Sequence, residues 1–250
     1  MTAATGLRRG IRVLEALASD EALAGGLGVL RIAELVDQDK SQVSRTLRTL
    51  AEHGVVDRDP ETRAYRIGWS VFALAARAGD MRLVTAGEPV VRELAQALGE
   101  RVHLTVLQGT EVLTILSHGT PHAIEAAGWV GRTVPAHCTS SGYALLLDAD
   151  VATALAGVEL APHTVARVKT RIAAARERGY AVADEDFEPG LVAVAAPVRD
   201  FRGRIAAALN VSAPKFRLDA RLEEAGAAVA EAARSLSALA GAVRSEKLSV

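Results

Sequence analysis

A chain of 250 residues is long enough for one large domain or two ordinary ones. Half of its residues are hydrophobic and 24% are charged, which is typical of a folded globular protein and excludes an intrinsically disordered one. The net charge of −1 excludes a broadly basic surface, and a single cysteine, Cys138, excludes an internal disulfide framework. With no signal-peptide pattern and no apolar stretch of membrane-spanning length, we expect a cytoplasmic protein without a membrane partner.

The N-terminal part of the chain predicts three helices. Apolar residues repeat at helical spacing over residues 7–19 and again over 32–36. The third helix is predicted to begin after Asp39, an expected N-cap with Gln42 at capping-box spacing, and to end before Gly54. Residues 23–28 are small and predict a loop between the first two helices.

Two short strands follow the third helix, at residues 55–58 and 64–67. They flank residues 59–62, whose composition is that of a tight turn, and so predict a hairpin. Three helices followed by a hairpin predict an N-terminal all-α winged helix-turn-helix domain.

The third helix has the composition of a DNA-recognition helix. Val43, Leu47 and Leu50 share one face and predict burial, while the outward side chains include no acid before Glu52. Glutamine pairs with adenine, arginine with guanine, and hydroxyls with phosphate or base edges. The predicted DNA-binding residues are Arg8, Arg9, Lys40, Ser41, Gln42, Ser44, Arg45, Thr46, Arg48, Thr49, Arg63 and Arg66.

Two alternatives stay open for these residues. The polar face is also compatible with an ordinary solvated helix, and the hairpin arginines lie beside Asp57, Asp59 and Glu61, which would partly cancel their charge. A ligand-sensing protein whose winged helix contacts another protein is the alternative function. That alternative calls for an apolar outward face on the third helix, which Arg45 and Arg48 do not provide.

The remainder of the chain alternates predicted helices with strands. Helices are expected at residues 70–82, 88–98, 139–147, 164–178 and 219–243, and strands at 102–107, 111–117, 180–183, 191–198 and 205–211. The hairpin across residues 108–110 and the mixture of elements predict a C-terminal α+β domain with a mainly antiparallel sheet.

Nothing in the sequence predicts an enzyme, a metal site or a cofactor. Cys138 lacks an evident base, and there is no second cysteine to resolve a redox role. Gly119 and Pro121 deny His118 and His122 the helix that would align them as metal ligands. The acidic run at residues 184–188 lacks calcium-loop spacing and predicts a solvated turn.

An ordered series of short segments resembles the IclR family of bacterial regulators and covers nearly the whole chain. The segments are residues 9–15, 32–35, 40–47 and 65–68, followed by 102–104, 131–137, 178–190, 195–200 and 207–212. The resemblance implies a GAF-like effector domain, a homodimer, and two dimers on one DNA operator. It divides the chain into a DNA-binding domain at 1–69, a connector helix at 70–85 and an effector domain at 86–250.

The resemblance also implies a pocket for a small organic acid or aromatic compound. The implied effector-binding residues are Ala126, Trp129, Val134, His137, Cys138, Ser140, Ser141, Leu191, Ala193, Asn210 and Ser212. This chain departs from the family at three positions: Ala193 stands where a cysteine is common, Tyr143 where a lysine is common and Ala183 where an aspartate is common. Tyr143 and Trp129 point to an aromatic ligand or, as the plainer interpretation, serve only in packing.

These observations give a mechanistic hypothesis. A dimer places two recognition helices in successive major grooves of a pseudo-palindromic double-stranded operator. The effector binds the two arrangements of the DNA-binding units with different affinities. It therefore shifts the equilibrium between these arrangements, and the connector transmits the change. We expect the protein to act as a repressor.

Overall fold

A computed structural model describes residues 2–23, 25–75, 81–119 and 129–242 of the chain. The chain divides into two compact units, Met1–Met81 and Arg82–Val250. Each unit has its own hydrophobic core among the described residues.

The first unit contains short helices followed by a hairpin. Its elements are α1 (Thr2–Leu17), α2 (Asp20–Leu23), α3 (Val29–Leu35), α4 (Lys40–Glu52), β1 (Val56–Arg58), β2 (Tyr65–Ile67) and α5 (Trp69–Ala75). The antiparallel pair β1–β2 confirms the predicted hairpin. Val13, Ile32 and Leu47 are fully buried in a core that joins α1, α3 and α4.

Two details of this unit correct the predictions. Residues 20–23 form the extra helix α2, because Ser19 and Asp20 start a new turn after α1 ends. Asp39 precedes α4, but its side chain makes no capping hydrogen bond; its backbone carbonyl accepts from the amides of Gln42 and Val43 instead. The helix predicted over residues 70–82 is described from Trp69 to Ala75 as α5; residues 76–80 lie outside the described ranges, so its continuation stays a prediction.

The second unit is an α+β arrangement. Its elements are α6 (Met81–Leu98), β3 (Arg101–Gln108), β4 (Glu111–His118), β5 (Thr133–Pro135), α7 (Ser140–Leu145), α8 (Val151–Ala154), α9 (Pro162–Arg178), β6 (Ala181–Asp184), β7 (Leu191–Arg199), β8 (Ile205–Pro214), α10 (Lys215–Leu218) and α11 (Leu222–Ala242). The helix predicted at residues 88–98 therefore begins at Met81, and β5, α8 and α10 are additions to the predicted elements.

The strands of this unit form one six-stranded sheet in the order β5-β4-β3-β8-β7-β6, with every neighbouring pair antiparallel. The sheet has two distinct faces. One face packs its apolar side chains against α6 and α11, and the other faces α7 and α9. Because side chains alternate along a strand, each strand contributes to both faces.

Candidate functional site

The helix α4 carries most of the predicted DNA-binding residues. Val43 and Leu47 are fully buried and hold one side of α4 against the core, as their spacing predicts. The helix ends at Glu52, and Gly54 follows its C-cap with a φ of +67°, in the left-handed region that glycine adopts without strain. α4 therefore presents a fixed outer face.

The predicted DNA-binding residues of α4 differ in their exposure. Lys40, Ser41, Arg45, Arg48 and Thr49 are exposed, and Gln42, Ser44 and Thr46 are half-buried. The Oγ1 atoms of Thr46 and Thr49 donate to backbone carbonyls one turn earlier, at 3.1 and 3.3 Å. Since those hydroxyl protons are already committed, the two threonines offer DNA mainly an acceptor.

Arg8 and Arg9 on α1 have different surroundings. Arg8 is exposed, but Arg9 is half-buried, and its Nε donates to Gln38 Oε1 at 2.6 Å. This bond ties α1 to the turn that precedes α4. The Arg9 guanidinium is thus engaged within the protein and helps to position α4.

The hairpin arginines are also unequal. Arg66 pairs with Asp59 at 3.0 Å, as the nearby acids led us to expect. Asp59 in turn accepts the backbone amides of Glu61 and Thr62, and these hydrogen bonds lower the pKa of its carboxyl. Arg63 is exposed at the hairpin tip, with a φ of +62°. Of these two arginines, Arg63 is therefore the more available for a contact with phosphate.

The second unit encloses a pocket on the sheet face that meets α7. Counted with its open mouth, the pocket has ≈ 550 Å³ of empty space. Eight of the residues expected to bind effector line it: Trp129, Val134, Ser140, Ser141, Leu191, Ala193, Asn210 and Ser212. A space of this size fits a small organic molecule.

The remaining three expected pocket residues are Ala126, His137 and Cys138. Ala126 lies outside the described residues. His137 and Cys138 lie in a short 3₁₀ turn and are not among the described residues that line the pocket, so their role in effector binding stays a prediction. The Cys138 thiol instead points to the Pro135 carbonyl, with Sγ and O 3.8 Å apart. Burial raises the pKa of this thiol and lowers the pKa of the His137 imidazole, which keeps both groups neutral.

Seven lining residues were not predicted: His103, Thr105, Val112, Thr114, Thr139, Ala183 and Phe187. The signal for two of them was present in the sequence. Over residues 102–106 polar and apolar residues alternate, which places His103 and Thr105 on the face opposite Val102 and Leu104. β3 pairs with β8 so that His103 stands opposite Asn210. The pairing of β3 with β8 thus brings His103 and Asn210 into one site.

The described part of the pocket lining contains no Lys, Arg, Asp or Glu. Its one imidazole, His103, is 5% exposed. Burial, with a smaller effect from the charge of Arg101, lowers the pKa of His103 to about 4. The described part of the lining is therefore uncharged at neutral pH.

The serines of the pocket are positioned by a close backbone approach. Thr139 caps α7, and its Oγ1 accepts from the Gly142 amide at 3.1 Å. A Cβ at Gly142 would collide with the backbone of Ala136, so only glycine lets α7 start here. This contact fixes Ser140 and Ser141, both almost fully buried, at the pocket wall.

The loop between β6 and β7 covers one side of the pocket with Phe187. Its anchor is Asp186, whose side chain is 5% exposed and pairs with Arg171 at 2.9 Å and Arg167 at 3.8 Å. Tyr143 donates to the same carboxylate at 3.3 Å and is fully buried. The acidic run at residues 184–188 is thus more than the solvated turn that was predicted, because Asp186 anchors it. Tyr143 packs behind the pocket wall, whereas Trp129 lines the pocket.

Two further observations concern the described residues as a whole. They contain no cluster of three His, Cys, Asp or Glu side chains arranged to hold a metal ion. None of the described helices combines the length and the apolar character needed to cross a membrane.

Comparison with known proteins agrees with this architecture. The model of the IclR helix-turn-helix domain matches residues 6–60, and that of the bacterial transcriptional regulator IclR C-terminal domain matches residues 75–238. The chain is 34% identical to the HTH-type transcriptional regulator BhcR of Paracoccus denitrificans, over 92% of this chain and 85% of the relative. It is 28% identical to the transcriptional repressor IclR of Escherichia coli, over 95% of this chain and 90% of the relative.

A solved structure has the same fold. It is an IclR homolog from Microbacterium hydrocarbonoxydans complexed with 4-hydroxybenzoate, with a TM-score of 0.77 at 24% identity over 94% of this chain and 98% of that chain. The family models together cover both units, and the relatives are transcriptional regulators. The resemblance found in the sequence is confirmed: this chain belongs to the IclR family of bacterial transcriptional regulators, with a helix-turn-helix domain followed by an effector-binding domain.

Proposed function

We propose that this regulator is a sequence-specific repressor whose α4 reads a pseudo-palindromic operator in the major groove. The observation that carries the proposal is the outer face of α4, where Ser41, Arg45 and Arg48 are exposed and no acid occurs before Glu52. Bidentate arginine and glutamine contacts to base edges need such a face. The hairpin β1–β2 would act as a wing, with Arg63 on the phosphate backbone.

The chain is proposed to work as a homodimer, paired into a dimer of dimers on the operator. Residues 1–69 would form the DNA-binding domain, 70–85 the connector and 86–250 a GAF-like effector domain. One family model ends at residue 60 and the other begins at residue 75, which supports a division in this part of the chain.

The effector is proposed to be a small organic or aromatic acid that binds the pocket of the second unit. Hydroxyls of Ser140 and Ser141 and the amide of Asn210 would hold it without a buried arginine, and Trp129 and Val134 would supply apolar wall. The complex of the Microbacterium homolog with 4-hydroxybenzoate supports an acid of about that size.

The test of DNA reading is selection of bound duplexes from a random pool by the full chain, repeated at two salt concentrations. We expect a pseudo-palindromic consensus that survives the higher salt, because base contacts do not depend on counterion release as phosphate contacts do. Binding without a consensus would overturn sequence-specific reading and favour a winged helix that contacts protein.

Arg45→Ala sharpens this test. We expect it to weaken operator binding by about 1–3 kcal/mol and to relax preference at one base position. The matched control is Arg31→Ala in the same unit, since Arg31 is already paired with Glu21 at 2.8 Å and Glu34 at 3.0 Å. Equal loss in the two variants, or equal loss on random DNA, would contradict a base contact by Arg45.

Effector binding is measurable through Trp129, because the chain has two tryptophans and Trp69 belongs to the first unit. In a Trp69→Phe variant, a ligand entering the pocket should change the remaining tryptophan fluorescence with a saturable titration. The same ligand should release the operator if the protein is a repressor that effector inactivates. Tighter operator binding with ligand would contradict that direction of regulation.

A further inference from the structure

Three buried polar atoms on the pocket lining have no hydrogen-bond partner among the described residues. They are His103 Nδ1, Ser140 Oγ and Asn210 Oδ1. A buried polar atom without a partner costs free energy, and native proteins keep few of them. Their occurrence on one pocket indicates that this part of the lining is built for a polar ligand group.

The sheet places two of these residues side by side. His103 on β3 and Asn210 on β8 are register partners on adjacent antiparallel strands, so their side chains leave the same face of the sheet. His103 is 5% and Asn210 8% exposed. The His103 ring also lies 5.4 Å from the Trp129 ring, centroid to centroid, which limits its movement.

The chemistry of the pair specifies a particular partner. An amide oxygen such as Asn210 Oδ1 only accepts, so it needs a ligand group that donates. A neutral imidazole nitrogen either donates or accepts, according to its tautomer, and the Ser140 hydroxyl does both. A carboxylate has no proton to give to Asn210, and a cationic amine has no lone pair with which to accept from Ser140. A hydroxyl both donates and accepts without carrying charge.

We propose that the effector carries a hydroxyl group and that His103 and Asn210 read it, making these two residues the determinants of selectivity for hydroxylated over matching deoxy ligands. This inference rests on the proposed function of the pocket as the effector site. The hydroxyl donates to Asn210 Oδ1 and completes the hydrogen bonding of His103. The acid group of the same ligand then lies toward Ser140 and Ser141.

The experiment compares matched ligand pairs on the full chain by calorimetry and by Trp129 fluorescence in Trp69→Phe. The pairs are 4-hydroxybenzoate with benzoate, and lactate with propionate. We expect the hydroxylated member of at least one pair to bind about tenfold or more tightly than its partner, because the deoxy ligand leaves buried polar atoms unpaired. Equal affinities within every pair, or no binding by either hydroxylated compound, overturns the inference.

Substitutions test whether His103 and Asn210 cause the selectivity for the hydroxylated ligand. Asn210→Leu and His103→Phe retain side-chain bulk while removing the polar atoms, and each should bring the affinity ratio of the preferred pair close to one. Ser117→Ala is the matched control: Ser117 Oγ is also buried without a partner among the described residues, but Ser117 does not line the pocket. A ratio that persists in both pocket variants would overturn the assignment to this pair.

Failure of the inference is distinguishable from failure of the proposed function. Saturable binding of both members of a pair, with operator release by both, would leave the effector pocket intact and remove only the hydroxyl selectivity. Thermal unfolding of each variant verifies that it folds, and Asn210→Ser, with a shorter side chain that keeps a hydroxyl, replaces Asn210→Leu if the latter does not.

Discussion

The two faces of the six-stranded sheet are built from the same strands but differ in how completely they are packed. On β8, Leu209 and Val211 are fully buried against the α11 side, while Asn210 and Ser212 between them line the pocket. The apolar face is filled, and the pocket face keeps empty space and unpartnered polar atoms. One face thus contributes packing to stability, and the other retains a cost in free energy that a ligand would offset.

Leu209→Ala tests the packed face and should have the largest effect. Leu209 is 0% exposed in the core beneath α11, so truncation leaves a cavity and should cost about 3 kcal/mol of unfolding free energy. Urea unfolding, monitored by Trp129 fluorescence in a Trp69→Phe background, measures this loss of unfolding free energy. The volume-conserving control Leu209→Met should cost about 1 kcal/mol. Equal losses in the two variants would show that this face is not closely packed.

The packed face is also the part of the second unit that the sequence predicts best. The runs at residues 191–198 and 205–211 predict strands because their apolar residues bury on both sides, and the structure contains β7 and β8 there. The short elements β5 and α8 were missed, because three or four residues are too few to show a period. Asp39 shows the same limit, since capping depends on a side-chain orientation that composition does not determine.

The pocket face was predicted in part. The family resemblance supplied Ser140, Ser141 and Asn210, but His103 was found only once the sheet order placed β3 beside β8. His137 and Cys138, also implied by the resemblance, lie in a 3₁₀ turn and are not part of the described lining. Pairing between strands far apart in sequence depends on the tertiary fold, and the local pattern of residues does not reveal it.

His103 gives the pocket face a pH dependence that the packed face lacks. Its pKa falls from 6.5 in the unfolded chain to about 4 in the folded one, so the unfolded chain binds the proton more readily between these values. Stability from this group is complete above pH 6.5 and is lost as the pH falls toward 4. The loss should reach about 2 kcal/mol at pH 5. Unfolding of wild type and His103→Phe at pH 7 and pH 5 measures it, and an equal pH 5 loss in both would contradict this role of His103.

Asp186→Asn tests how the pocket face is closed. The substitution keeps the shape of the side chain but removes the charge that pairs with Arg167 and Arg171. We expect a cost of about 1 kcal/mol, since both arginines remain partly solvated, together with weaker ligand binding as the Phe187 loop loses its anchor. The control is Glu231→Gln, whose carboxylate is 69% exposed and pairs with Arg234 on α11. A loss in the control equal to that in Asp186→Asn would contradict a special role for the loop anchor.

Asn210→Leu should have the smallest effect on stability, and of the opposite sign. Leu209→Ala removes packed methyl groups, whereas Asn210→Leu removes a buried carbonyl oxygen that has no partner among the described residues. Replacing an unpaired buried polar group by an apolar one of similar shape is neutral or stabilising, by up to about 1 kcal/mol here. Urea unfolding at pH 7 measures the change, and ligand titration of the same preparation should show the loss of hydroxyl selectivity. A clear destabilisation would mean that Asn210 already has a partner within the fold, and the contrast between neighbouring residues on β8 would fail. A gain in stability with a loss of selectivity would establish that the pocket face retains Asn210 for binding at the expense of packing.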